Sequence, residues 1–213
     1  MSEERHFSPE HAEKLRNIFT RLSDFIAEHK LEQIVGVGPS ASPYARALAR
    51  AHKNRHGVEL KVIALGLIGE KLSWTKPGAE EDVKRALSAS RKFDFSKPSL
   101  LLDEIVQSAF CFGNLSRILN SLNFPHKNAA LLSYTKFRAY PNFPRSFNLH
   151  FIGEEIDSGS AFNEAVYLKR GAAFGFAGTG EKLKRPDKSW LDKMKKARKE
   201  LREIADSVSP VKK

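Results

Sequence analysis

Short apolar runs rich in β-branched residues alternate with helical patterns along this chain, and this alternation constrains the fold more than any other feature. The runs are QIVGV, VELKVIALGLIG, SLLLD, AALLSY and FNLHFIG, and a helical pattern follows each of the first three. Strands without polar alternation are typical of sheets buried on both faces. Strands separated by helices form a parallel sheet. The sequence therefore predicts an α/β fold with a doubly wound, mainly parallel sheet.

Amphipathic helices are predicted at both ends. Ser8 and Pro9 form an N-cap and first-turn pair, and helical spacing of apolar residues then predicts a helix from about residue 9 to 29. A second helix near the C-terminus is marked by apolar residues at helical spacing: Trp190, Leu191, Met194, Ala197, Leu201 and Ile204. We expect an N-terminal helix packed on the core over 1–30, an α/β domain over 30–180, and a basic C-terminal helix and tail over 181–213.

Composition narrows the class of protein. The single cysteine of the 213 residues excludes an intrachain disulfide framework and a cysteine-rich zinc site. The histidines show no metal-binding spacing. The N-terminus lacks a signal-peptide pattern, and no apolar run approaches the length of a membrane span. These features predict a soluble, cytoplasmic protein without a membrane partner.

The net charge of +11 favours a polyanionic partner, and its distribution matters more than its sum. Residues 181–213 carry 12 Lys and Arg against 6 Asp and Glu, so this tail supplies more than half of the excess. The basic face of the C-terminal helix is interpreted either as a nucleic-acid contact or as a solvated face.

In a doubly wound sheet, ligands bind at the carboxyl ends of the strands, so the strand-to-helix loops are the candidate sites. The loop GVGPSASP precedes a helix whose first N–H groups suit a phosphate. It has neither the Gly-Lys-Ser/Thr of a phosphate-binding P-loop nor the third glycine of a dinucleotide-binding loop. The alternative is a tight turn with Ser42 as helix N-cap.

The segment LLLDEIVQSAFCFGNL carries a more specific arrangement: an apolar strand, two acids, two β-branched residues, and a five-residue loop into a helix. It resembles the phosphoribosyl-pyrophosphate motif of type I phosphoribosyltransferases. The resemblance implies that Asp103 and Glu104 hold the ribose hydroxyls, directly or through Mg²⁺, and act as the catalytic and metal-binding acids. It also implies that the loop wraps the 5′-phosphate with Gln107, Ser108, Ala109, Phe110 and Cys111.

The resemblance covers roughly residues 30 to 155, and it assigns two further groups of residues. The pyrophosphate would be held by Gly38, Pro39, Ser40, Ala41 and Ser42, with Lys71 from the following loop. The base would contact Phe137 and Phe147, in a segment that interleaves aromatic and basic residues. The alternatives are an exposed mixed-charge loop around Lys71, and a proline-rich loop whose aromatic rings pack on the core.

The expected function is binding of phosphoribosyl pyrophosphate or a nucleotide, with transfer of a phosphoribosyl group to or from a nitrogenous base. Glu104 stands where the family usually has aspartate, and QSAFC replaces a loop similar to Thr-Thr-Gly-Gly-Thr. These departures favour a second hypothesis, a weak or inactive regulator with the same fold that binds nucleotide or RNA. An unrelated doubly wound domain is the third. The sequence leaves open whether the chain forms a homodimer.

Overall fold

The fold is built around one parallel sheet. In the computed structural model, the described residues are 5–65, 81, 85, 94–106, 110–134, 149–157, 159–166 and 188–211. The strands are β1 (Gln33–Val37), β2 (Lys61–Leu65), β3 (Ser99–Val106), β4 (His126–Tyr134) and β5 (Leu149–Ile156). Their order across the sheet is β2-β1-β3-β4-β5, and every neighbouring pair is parallel.

Five helices are complete within these residues. They are α1 (Pro9–Glu28), α2 (Gly38–His56), α3 (Phe110–Ser121), α4 (Ala161–Val166) and α5 (Lys188–Asp206). Ser8 caps α1 by accepting a hydrogen bond from the backbone N–H of His11, and Pro9 occupies its first turn, as predicted. Within the described ranges, none of the helices is long and apolar enough to cross a membrane.

The strand order contains a topological switch point. The chain leaves β1 through α2 toward β2 on one side, and it leaves β3 through α3 toward β4 on the other. Because parallel crossovers are right-handed, α2 and α3 cover opposite faces of the sheet. The carboxyl ends of β1 and β3 therefore border a crevice, which is where ligands bind in this class of fold. The doubly wound α/β class predicted from the sequence is confirmed.

A large hydrophobic cluster on the α2 face of the sheet joins side chains of α1, α2, α4 and α5 with those of the strands. Close approach at Gly153 of β5 shows how tightly this face is packed. A Cβ atom there would lie 2.4 Å from the backbone oxygen of Leu131 and 2.8 Å from a methyl carbon of Ile18 in α1. Arg21 of α1 also donates to the Gly153 carbonyl over 2.9 Å. Only glycine admits α1 at this distance from the sheet.

Two features of the predicted helices and strands need correction. Leu191 was expected on the buried face of the C-terminal helix, but it is exposed, whereas Met194, Ala197, Leu201 and Ile204 are buried as predicted. It lies in the first turn of α5, beyond the stretch that packs on α2. The predicted strand SLLLD is also longer than expected, because β3 continues through Val106 by pairing Ile105 with Leu132 and Val106 with Ser133 of β4.

Candidate functional site

The N-terminus of α2 borders the crevice directly after β1. The residue before its first turn is Val37, whose side chain cannot cap the helix, and the helix begins at Gly38. Its first backbone N–H groups therefore have no side-chain cap, which leaves them available to an anion. The sequence prediction of a loop over residues 38–42 is wrong, as is the alternative with Ser42 as N-cap. Gly38, Pro39, Ser40, Ala41 and Ser42 are all helical.

The start of α2 packs against β1 at Gly36. A Cβ atom at Gly36 would lie 3.4 Å from atoms of Ala41, Ser42 and Ala45. The small residue in β1 thus allows the first turns of α2 to rest on the strand. Ala41 is buried there, and the Ser40 and Ser42 side chains are half-buried.

The acid pair lies inside β3, in the part that extends past its pairing with β1. That pairing ends at Gly36 with Leu102, one residue before Asp103. Asp103 is half-buried, whereas Glu104 is only 4% exposed. Among the described residues, nothing hydrogen-bonds to the buried Glu104 Oε2 atom. A buried carboxyl oxygen without a partner is costly, so it points to a ligand, a cation or a proton at this position.

The pKa values of two ionisable side chains at this position are also raised. Burial raises the pKa of Asp103 well above its usual range, and the charge and hydrogen bonding of the adjacent Glu104 carboxyl raise it further. Backbone N–H groups of Glu104 and Ile105 partly oppose this shift. Tyr44 of α2 is fully buried, and burial followed by the nearby charge of Glu104 raises the pKa of its phenol. Its hydroxyl donates to the carbonyl of Val166 over 2.7 Å.

The connection from β3 to α3 is shorter than predicted. The sequence was interpreted as a phosphate loop over residues 107–111, but α3 begins at Phe110, so Phe110 and Cys111 are helical. Neither residue has the backbone freedom of the glycines that the resemblance would require there, and both continue the helical pattern. Gln107, Ser108 and Ala109 lie outside the described residues, and so does any contact they make.

The remaining predicted ligands also lie outside the described ranges: Lys71, Phe137 and Phe147. Within those ranges, no three histidine, cysteine, aspartate or glutamate side chains form a metal-binding group. The acid pair nevertheless fits Mg²⁺ in its chemistry, because it offers carboxylate oxygens, one of which, the buried Glu104 Oε2, has no hydrogen-bond partner among the described residues. Mg²⁺ is commonly held by one or two carboxylates, with the rest of its shell from water and ligand phosphates.

Two polar networks at the opposite end of the sheet were missed from the sequence. The buried Gln33 side chain donates to the Asp94 carbonyl over 2.8 Å and accepts from the Asp94 N–H over 3.1 Å, so it fixes the segment before β3. The second network joins Ser116, His126 and Asn128. A glutamine at the start of the apolar run QIVGV was the available signal for the first.

In the second network, the His126 Nδ1 atom donates to the Phe124 carbonyl over 2.8 Å. The other ring nitrogen, Nε2, accepts from the Ser116 hydroxyl over 2.8 Å, and Asn128 donates to the same hydroxyl over 2.9 Å. Burial lowers the pKa of His126. Ser116 is 3% exposed, so this serine and histidine stabilise the fold and are not an accessible nucleophile.

Comparison with known proteins adds little to this geometry. No protein-family model matches the chain, and no curated protein matches it. A solved structure with some similarity is the C-terminal domain of glucosamine-fructose-6-phosphate aminotransferase from Francisella tularensis. It is 14% identical, with a TM-score of 0.36, over 92% of this chain. The chain spans 42% of the length of that structure, and at this TM-score the likeness carries no argument.

Proposed function

We propose that this protein binds phosphoribosyl pyrophosphate or a nucleotide in the crevice between β1 and β3, and transfers a phosphoribosyl group to or from a nitrogenous base. The observation that carries the proposal is the buried, unpartnered Oε2 atom of Glu104 beside Asp103, at the switch point of the sheet. The sequence resemblance supplies the identity of the ligand.

Two chemically complementary groups border this crevice. The uncapped N-terminus of α2 offers backbone N–H groups and the positive end of the helix dipole, which favour a phosphate. Asp103 and Glu104 offer carboxylates, which suit ribose hydroxyls or a hard cation. A ribose carrying phosphate groups combines both requirements, since its hydroxyls donate and its phosphates accept.

Each residue has a defined part in this proposal. Asp103 accepts hydrogen bonds from the ribose, and Glu104 holds either the second hydroxyl or Mg²⁺. The α2 amides orient the pyrophosphate. Mg²⁺, when bound, neutralises charge on the leaving pyrophosphate. Catalysis in such a site comes from positioning the anomeric carbon and from stabilising charge that develops as the bond to pyrophosphate breaks.

Isothermal titration with phosphoribosyl pyrophosphate and Mg²⁺ tests the proposal. Saturable binding is expected for the unmodified protein, and Asp103→Asn/Glu104→Gln should weaken it by about tenfold or more, because hydrogen bonds to charged groups contribute roughly 1.5–3 kcal/mol. Ser121→Ala, an exposed change in α3, is the control and should bind normally. Equal affinity of the acid-pair variant and the unmodified protein would contradict the proposed site.

A second candidate function is a regulator that binds the same ligand, or RNA, without turnover. The observation that favours it is the helical start of α3 at Phe110, which leaves only residues 107–109 between strand and helix for the phosphate. Assays for pyrophosphate release with a mixture of purine and pyrimidine bases separate the two functions. Ligand binding without release favours the regulator, and release that depends on Asp103 favours the enzyme.

A further inference from the structure

A basic groove lies outside the crevice, between α2 and α5. These helices run side by side in the same direction. Asn54 donates to the Ala205 carbonyl over 3.2 Å, and the Arg55 guanidinium donates to the Ser209 carbonyl over 3.1 Å. Both helices line a cavity of about 570 Å³, a size typical of small-molecule sites.

Five basic side chains line this groove: Arg46, Arg50, Lys53, Arg198 and Arg202. The three from α2 are spaced four and three residues apart, so they lie on one face of the helix. The two from α5 are also four residues apart. The floor is apolar and includes the buried side chains of Leu60 and Leu201. Such a wall of cations over an apolar floor attracts an anion and partly excludes water from it.

Ion pairs account for only part of this charge. Arg50 forms a paired contact with Asp206, and Lys53 lies 3.7 Å from Glu59. Arg46, Arg198 and Arg202 have no acidic partner within the described part of the chain, and all three are exposed. Three guanidinium groups thus face one cavity with their charge uncompensated. Guanidinium groups are well suited to phosphate oxygens, because they can donate two parallel hydrogen bonds.

We propose that this groove is a second ligand site, which binds a compact polyphosphate such as inorganic tripolyphosphate or the phosphate chain of a nucleoside triphosphate. The composition of its lining favours a small ligand over a nucleic-acid strand. Its described lining contains no aromatic side chain on which a base could stack.

Titration of the full chain with tripolyphosphate tests this site. At an ionic strength of about 0.15 M, long-range attraction is screened, so saturable binding reports local contacts. Arg46→Gln/Arg198→Gln should weaken binding by about tenfold or more. The control Lys193→Gln/Lys199→Gln removes the same net charge from exposed positions of α5 that do not line the groove, and it should leave the affinity unchanged. Because all four side chains are exposed, each variant should keep the unligated melting temperature.

A further variant distinguishes tripolyphosphate binding in the groove from binding in the crevice between β1 and β3. Asp103→Asn/Glu104→Gln should retain tripolyphosphate binding through the groove, whereas loss of binding in that variant alone would place the ligand in the crevice and overturn the inference. An equal loss of tripolyphosphate affinity in the lysine and the arginine variants would mean that binding depends only on net charge, and would also overturn the inference. Absence of saturation at millimolar tripolyphosphate would also overturn it. Higher affinity of a single-stranded oligouridylate for the same arginines would overturn the inference too. That result would identify a nucleic-acid backbone as the ligand of the groove.

Discussion

At the amino end of β3, the buried Ser99 and Gln33 side chains are hydrogen-bonded to each other, whereas at its carboxyl end one oxygen of a buried acid has no hydrogen-bond partner among the described residues. Ser99 receives a hydrogen bond from Gln33 over 3.2 Å, and Gln33 also holds both backbone groups of Asp94. At the other end, Glu104 is 4% exposed with an unpartnered oxygen, and the pKa of Asp103 is raised. The same strand thus has hydrogen-bonded polar groups at one end and two adjacent acids, one of them with a raised pKa, at the other.

This difference assigns different roles to the two edges of the sheet. Polar groups that satisfy one another contribute to folding and leave little capacity to bind anything else. Carboxylates held close together and away from water cost free energy until a cation, a hydroxyl or a proton compensates them. A protein retains such a cost where function needs it, so we propose the carboxyl edge as the site of ligand binding.

The largest effect is expected at the amino edge. Gln33→Leu should lower the free energy of unfolding by about 3 kcal/mol, because it leaves the Asp94 backbone groups without their partner. Urea unfolding measures the change. Ser96→Ala, an exposed change in the same connection, is the control and should cost less than about 1 kcal/mol. Similar losses in both variants would mean that Gln33 does not anchor this edge.

A somewhat smaller loss of unfolding free energy is expected when the network of Ser116, His126 and Asn128 is disrupted. Ser116→Ala removes the acceptor of Asn128 and the donor to His126, and it should cost about 2 kcal/mol in urea unfolding. Ser121→Ala, on the same helix but exposed, should cost less than about 1 kcal/mol. A neutral Ser116→Ala would remove the distinction between the two edges.

At the carboxyl edge, a substitution should increase the free energy of unfolding, whereas those at the amino edge decrease it. Asp103→Asn should raise the free energy of unfolding at pH 7 by about 1 kcal/mol, because it removes a half-buried carboxyl whose ionisation is disfavoured beside Glu104, and it keeps a side-chain acceptor. The raised pKa of Asp103 means that its stabilising, protonated form prevails at low pH. This contribution is fully present below the unfolded pKa and is lost as pH rises through the folded pKa.

The gain from Asp103→Asn should therefore shrink as the pH falls toward about 4. Urea unfolding at several pH values, without ligand, gives the profile. Destabilisation by Asp103→Asn at neutral pH would contradict this prediction, because it would mean that Asp103 stabilises the fold.

The smallest expected effect is the contribution of two histidines to the pH dependence of stability. Burial lowers the pKa of His126 and of His52, so the unfolded chain binds more protons than the folded one below about pH 6.5. Their contribution is present above that pH and is lost as the pH falls. His126→Gln should reduce the dependence of unfolding free energy on pH between about 7.5 and 5.5. An unchanged dependence would mean that His126 does not titrate differently on folding.

The sequence was sufficient for the fold class, because the class depends on apolar runs that alternate with helical patterns. Asp103 and Glu104 were expected at the end of a strand, but β3 continues for two residues beyond them. Helix starts were harder to predict. Glycine, proline and serine at 38–42 are typical of loops, but these residues form the first turns of α2, where Ala41 and Ala45 lie against Gly36. The burial of Glu104 was equally inaccessible, since it depends on Tyr44 and the helices above β3. The arginines of the groove were hidden because α2 and α5 are far apart in sequence.

Hydrogen exchange with and without phosphoribosyl pyrophosphate and Mg²⁺ tests the central claim most directly, because one experiment reports both edges of the sheet. The account predicts slower exchange in peptides that cover the start of α2 and the carboxyl end of β3. Peptides that cover Gln33 and His126 should be unchanged, and Asp103→Asn/Glu104→Gln should abolish the protection. Protection at the amino edge, or protection that survives in the acid-pair variant, would contradict it.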